Sequence, residues 1–268
     1  MSLKINLHGD SFSSNIVDGK ISSTHRKKPR KIEFVTDLSS NINLFVDSGI
    51  YTINNSFQKN KNYGWLLESK SIRPDLIEYF LDNTIEKVKP FIKIFTHNLE
   101  LISSNQKFEF LHPTGYWVNE EPDNEKSKLV SMIVSKKKMT TLQKKRVKFA
   151  KKNSKKIDIY GLDTKYIETK EEGLSNYYFS YAFENDDNDD YFSEKILDCF
   201  ATKTIPIYLG TKNITKYFNK EGIIFFDNHN FKDLSIDLYK EKIDAVNENY
   251  EKVKLYRSPE DLIYEKIK

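Results

Sequence analysis

From residue 129 to residue 227, short runs that are apolar on both faces alternate with amphipathic stretches. That alternation restricts the second half of the chain to a parallel sheet covered by helices on both sides. The strand runs are Leu129–Ser135, Lys156–Tyr160 closed by Gly161, Tyr178–Phe183, Thr204–Leu209 closed by Gly210, and Ile223–Phe226. A basic helix follows the first run. Further helices are predicted over about 191–201, 214–218, 231–250 and 259–266 from the spacing of their apolar residues. Ligands of such sheets bind outside the carboxyl ends of the strands.

The first half is less regular. Lys31–Thr36, Leu44–Asp47, Phe91–Thr96 and Lys107–Leu111 read as strands. Pro74–Asp82 reads as a helix, with proline in its first turn and Leu76, Ile77, Phe80 and Leu81 at helical spacing. Residues 11–30, rich in serine and basic residues, read as a loop. The polar run from Glu120 to Lys128 marks a boundary. The chain is therefore expected to form a first domain over 1–125 and a second over 126–268, with the last helix packing back on the first.

The chain has 268 residues, 38% of them hydrophobic and 13% aromatic, enough to build real cores despite 31% charged residues. The N-terminus lacks the apolar centre of a signal peptide. Cys199 is the single cysteine. It rules out an internal disulfide and a cysteine-rich metal site, and suits a reducing, cytoplasmic setting. A net charge of +4 fits an anionic small molecule, a phosphate-rich surface or nucleic acid without choosing among them.

Chemistry is concentrated in three places. In the first, the acidic loop after Phe183-Glu184-Asn185 leads into a helix with Asp190 as the expected N-cap. Ile196, Leu197, Phe200 and Ala201 would form its buried side, and Tyr191, Glu194, Lys195 and Asp198 the opposite one. The amides at a helix N-terminus attract phosphate, and Lys195 adds a full charge. The bland alternative is a solvated polar face with a capping acid. In the second, Lys136–Lys156 holds ten lysines, one arginine and no acid. Most of this run is a solvated face, but on a helix over 141–153 Arg146 falls between Leu142, Phe149, Ala150 and Asn153 on the inward stripe. A guanidinium aimed inward must meet an anion or carbonyls; a diphosphate and a structural carboxylate both satisfy that. In the third, Asp187-Asn-Asp189 matches a short Asp-x-Asp metal pattern that chance explains in a chain so rich in Asp and Asn, and no metal site is assigned. His97 and His112 follow strands and read first as structural histidines. Glycine-rich phosphate loops and hydrolase or zinc motifs are absent.

Tyr178-Phe-Ser-Tyr-Ala-Phe-Glu-Asn185, Asp190-Tyr-Phe-Ser-Glu-Lys-Ile-Leu-Asp198 and Thr204-Ile-Pro-Ile-Tyr-Leu-Gly210 together resemble the donor-binding signature of the α-1,3/4-fucosyltransferases, glycosyltransferase family ten. The likeness spans about residues 129–227. It implies an α/β fold of two Rossmann-like domains facing across a cleft, the GT-B type, and inverting transfer of a sugar, commonly fucose, from a GDP-sugar to a glycan hydroxyl without a required cofactor or metal. By matching positions it implies that Glu194 binds ribose or sugar hydroxyls and that Lys195 and Arg146 neutralise the diphosphate. Tyr191 would pack in the donor pocket, Asn185 would support the loop, and Tyr166 would contact the donor. The stretch before the arginine, Lys136–Gln143, departs from the family's Asn- or Gly-rich one. The family's base, a glutamate after a first-domain strand, is matched by Glu100 in Phe95-Thr-His-Asn-Leu-Glu100, with His97 as the alternative. The partners implied are a GDP-fucose-like donor and a lipopolysaccharide- or oligosaccharide-type acceptor, with no nucleic acid and at most peripheral membrane contact. The rivals are a catalytically inactive sugar- or nucleotide-binding protein on the same fold and a nucleic-acid-binding module using the basic run.

Overall fold

The computed structural model describes residues 2–24, 27–112, 114–119, 125–188 and 190–268. The chain divides into two compact units: Met1–Gly115 with Asp189–Tyr191 and Ser258–Lys268, and Tyr116–Asn188 with Phe192–Arg257.

The first unit carries strands β1 (Leu3–His8), β2 (Ile16–Val17), β3 (Lys20–Ile21), β4 (Ile32–Val35), β5 (Ile42–Val46) and β6 (Lys61–Trp65), then helices α1 (Pro74–Leu81) and α2 (Thr84–Val88), strand β7 (Lys93–Thr96), helix α3 (Leu99–Ser104) and strand β8 (Phe108–Phe110). Six strands form one parallel sheet in the order β4-β1-β5-β6-β7-β8. The loop expected over 11–30 includes the small antiparallel pair β2–β3. Strands β1 and β6 escape the sequence pattern because each buries an asparagine. Asn6 donates to Asn43 Oδ1 at 2.9 Å, and Asn43 donates to Asn62 Oδ1 at 2.9 Å. Asn62 passes its own protons to the carbonyls of Phe57 and Pro90. A buried amide is tolerated when its donors and acceptors are satisfied, so this ladder lets three polar residues sit inside the sheet.

The second unit carries β9 (Lys128–Val134), α4 (Thr141–Asn153), β10 (Asp158–Gly161), β11 (Tyr177–Phe183), α5 (Glu194–Ala201), β12 (Ile205–Leu209), β13 (Ile224–Phe225), α6 (Ile236–Glu241) and α7 (Ile243–Val253). The chain ends with α8 (Pro259–Ile267), which belongs to the first unit. The helix expected over 214–218 is a 3-10 turn, Lys212–Lys216.

The five strands of the second unit are parallel, in the order β10-β9-β11-β12-β13. Alternate residues serve opposite faces. Val130, Met132 and Val134 of β9, Phe179, Tyr181 and Phe183 of β11, and Ile205, Ile207 and Leu209 of β12 join Val147 and Ala150 of α4 in one core. Ala182 and Tyr208 join Ile196, Leu197 and Phe200 of α5 in the other. The strand order reverses direction between β9 and β11, because β10 lies outside β9 while β11 to β13 run the other way. That switch point lies at the carboxyl ends of β9 and β11, where open parallel sheets hold their ligands. Among the described residues no helix is long and apolar enough to cross a membrane.

Candidate functional site

Two groups of charged side chains gather at the end of β11. The first is built by α4. Thr140 caps the helix in a reciprocal capping box with Gln143. One turn on, Arg146 is buried at 4% exposure. Its Nη1 donates to the Phe183 carbonyl at 3.2 Å and to Asn185 Oδ1 at 3.4 Å, and its Nη2 donates to Ser135 Oγ at 3.1 Å. Ser135 follows β9 and Asn185 follows β11, so the guanidinium sits at the switch point. Gln143 Nε2 donates to the same Asn185 oxygen at 3.2 Å. The inward stripe read over 141–153 thus delivers a full positive charge to the carboxyl end of the sheet.

The second group surrounds the start of α5. Ser193, rather than Asp190, is the N-cap, and Tyr191 lies outside the helix. The reason is packing. Phe192 is fully buried against Tyr217, Phe218 and Tyr256, which leaves Ser193 as the first residue free to cap. Tyr191 clusters with the first unit, its ring 5.1 Å from that of His97.

Within this turn the protein itself engages the Ser193 amide. Ser193 N–H donates to Glu184 Oε1 at 2.9 Å, and Ser193 Oγ donates to Glu184 Oε2 at 2.5 Å. Burial pushes the Glu184 carboxyl up from its ordinary range. The face that the bland alternative leaves solvated is packed with charge. Lys195 Nζ contacts Ser193 Oγ at 2.9 Å, Glu194 Oε1 at 3.3 Å and Glu184 Oε2 at 3.7 Å. Lys170 Nζ contacts Asp198 Oδ2 at 2.7 Å and Glu194 Oε1 at 3.4 Å, and lies 4.2 Å from the centre of the Trp117 ring. Asp198 is buried and accepts from Trp117 N–H at 2.5 Å. Burial pushes the Glu194 carboxyl up, but Lys195 and Lys170 more than offset this and hold it well below the ordinary carboxylate range. Burial works against the Lys170 ammonium, yet Asp198 and Glu194 raise its pKa above the usual value.

Arg146 and Asn185 therefore meet directly, Lys195 and Glu194 pair with each other, and Lys195 also reaches Glu184, the residue before Asn185. Tyr166 is 85% exposed. Glu100 lies in the first turn of α3 in the first unit, in an exposed ion pair with Lys70 at 2.8 Å. Asp187 is exposed, and Asp189 of the Asp-x-Asp pattern lies outside the described residues. Sequence reasoning missed Glu184 and Lys170. Glu184 reads as the end of a strand, and Lys170 sits in an aperiodic polar run whose 3-10 turn, Lys170–Gly173, carries it to α5. Asp198 carried a signal, since it lies one helical turn below Glu194 on the same face.

The model of the C-terminal part of glycosyltransferase family 10 (fucosyltransferase) matches residues 123–261, more than half of the chain. The chain belongs to glycosyltransferase family 10. Within this family it resembles the α-(1,3)-fucosyltransferase FucT of Helicobacter pylori, with 41% identity over 76 residues, 28% of this chain and 16% of that protein. The match thus spans under a fifth of that relative's length. In structure, the family 10 chain is similar to a crystal structure of α1,3-fucosyltransferase, with a TM-score of 0.52 and 17% identity over 98% of this chain and 88% of that one. It is also similar to TarM, with a TM-score of 0.55 and 12% identity over 85% of this chain and 54% of that one. These likenesses agree with the α/β fold of two parallel-sheet units expected for the GT-B type.

Proposed function

We propose that this family 10 chain is an inverting, cytoplasmic fucosyltransferase-like enzyme. In this reading it moves a sugar, fucose in the first instance, from a GDP-sugar to a hydroxyl of a lipopolysaccharide- or oligosaccharide-type glycan. The observation that carries the reading is the convergence of two cationic side chains, Arg146 and Lys195, on the consecutive residues Asn185 and Glu184 at the carboxyl end of β11.

The chemistry asks for two things. A base accepts the proton of the acceptor hydroxyl as its oxygen bonds to the anomeric carbon. Positive charge meets the diphosphate as the glycosidic bond breaks and the electron pair leaves with it. In the proposal Arg146 and Lys195 supply that charge, and Glu194 accepts hydrogen bonds from ribose or sugar hydroxyls. Asn185 steadies Arg146, Tyr191 and Tyr166 contact the donor, and Glu100 is the base. The single, buried Cys199 accords with a reducing compartment.

Calorimetry with GDP, UDP and ADP, followed by a transfer assay with GDP-fucose, tests this reading. GDP should bind in preference to the other two. Lys195→Ala and Glu194→Ala should each keep the fold, lose GDP affinity by at least about tenfold and abolish transfer. Near-normal transfer by both variants rejects the site.

A further inference from the structure

We propose that Lys170 is a positioning residue, which holds the Glu194 carboxylate in place while Lys195 turns from it to the donor's diphosphate. The inference rests on the donor reading of this site. Lys195 is engaged by Ser193 Oγ, Glu194 and Glu184. An ammonium has only three hydrogens to give, so a diphosphate can recruit it only by releasing some of these partners. Glu194 is 14% exposed. Left without a cation beside Glu184 and Asp198, it would be a largely desolvated carboxylate among like charges, which is a costly arrangement.

Lys170 prevents this because it reaches the same oxygen from the other side. Glu194 Oε1 lies 3.3 Å from Lys195 Nζ and 3.4 Å from Lys170 Nζ. Lys170 is also anchored independently of Lys195. Its ammonium binds Asp198 at 2.7 Å and lies over the Trp117 ring, a cation–π arrangement. Its backbone is fixed by a second device: Glu172 Oε1 accepts from the amides of Glu168 and Thr169 at 2.9 Å each, closing the 3-10 turn. Asp198 follows Glu194 by one helical turn, so the two carboxylates that Lys170 bridges move together with α5. Lys195 is therefore the mobile cation and Lys170 the fixed one.

The test compares GDP affinity of the wild type, Lys170→Met and Lys170→Arg by calorimetry from about pH 8 down to about pH 5.5. Removing the fixed cation lets the Glu194 carboxyl titrate upward. In the variant the complex leaves Glu194 without a cation and so takes up a proton there on binding, which makes the ratio of the Lys170→Met to the wild-type dissociation constant largest near pH 8 and shrinks it by about tenfold or more as pH falls across that range. Titration of GDP itself cancels in the ratio. Lys170→Arg should keep the ratio flat. If Lys170→Met does not fold, because Asp198 is left as an unpaired buried charge, the double variant Lys170→Met with Asp198→Asn removes that charge and carries the same expectation. A ratio that stays constant with pH overturns the proposal, whether affinity is unchanged or uniformly reduced. A wild type that does not bind GDP overturns the donor reading and this inference with it.

Discussion

Arg146 and Asn185 meet at 3.4 Å, Nη1 to Oδ1, and Gln143 donates to that same oxygen from one turn earlier on α4. One amide oxygen thus fixes the two α4 side chains that lie at the carboxyl end of β11. A neutral acceptor orients the guanidinium without neutralising it. Asn185→Asp keeps the Oδ1 position, replaces the amide nitrogen by a second oxygen and adds a negative charge, turning the contact into a charge-assisted pair. The variant should melt at or above the wild-type temperature and bind GDP at least about tenfold more weakly, because the cation is now satisfied internally. Thermal melting and calorimetry check the two halves of this expectation.

Gly210 stands where β12 runs out. A Cβ built there would lie 2.4 Å from Tyr208 Oη and 2.8 Å from Glu184 Cγ. Neither neighbour has room to retreat. Tyr208 is buried in the α5-side core, and Glu184 is fully buried and held by two hydrogen bonds from Ser193. Gly210→Ala should cost about 1–3 kcal/mol in urea denaturation, as overpacking does. It should also weaken GDP binding, since displacing Glu184 disturbs the N-cap of α5.

The second unit was legible because its strands are apolar on both faces, which few other arrangements tolerate. The 141–153 helix and its inward arginine followed from the same logic. Strands β1 and β6 were not legible, because Asn6 and Asn62 sit inside the sheet by virtue of partners on other strands. The α5 turn was legible in residue type and misread in geometry. The pattern gives Glu194, Lys195 and Asp198 to one helix face. It does not say that Lys170 and Trp117, distant in sequence, close over that face, nor that Glu184 takes the amide expected to meet phosphate. The reading of Glu100 as a base rests on motif position alone.

Lys126 lies beside the start of β9 with its ammonium among four oxygens: the carbonyls of Ser175, Tyr177 and Thr202 and the hydroxyl of Thr204, at 2.8–3.1 Å. Burial lowers its pKa from 10.5 to about 7. The unfolded chain therefore holds this proton more tightly than the folded one. Between about pH 7 and pH 10.5 the unfolded state binds more protons at this site, so its contribution makes stability rise with pH and is constant below pH 7. The difference in unfolding free energy between wild type and Lys126→Met isolates this group from the other titrations. That difference should shift in favour of the wild type as pH rises from 7 to 9, measured by urea denaturation at each pH.

Glu100 and Lys70 form an exposed pair, with side chains 52% and 45% exposed. Such pairs contribute at most about 1 kcal/mol, so Glu100→Gln should leave the melting temperature almost unchanged. If this carboxylate takes the acceptor proton, the amide, which cannot, should lower the transfer rate by about a hundredfold or more. GDP affinity should not change, because the proposed cations and Glu194 all belong to the other unit. The split between binding and turnover is what distinguishes a base from a structural residue, and a transfer assay at saturating GDP-fucose reads it. Full turnover by Glu100→Gln removes the residue from the mechanism. The same assay on His97→Gln then decides whether the histidine three residues earlier, in the turn that follows β7, accepts the proton instead.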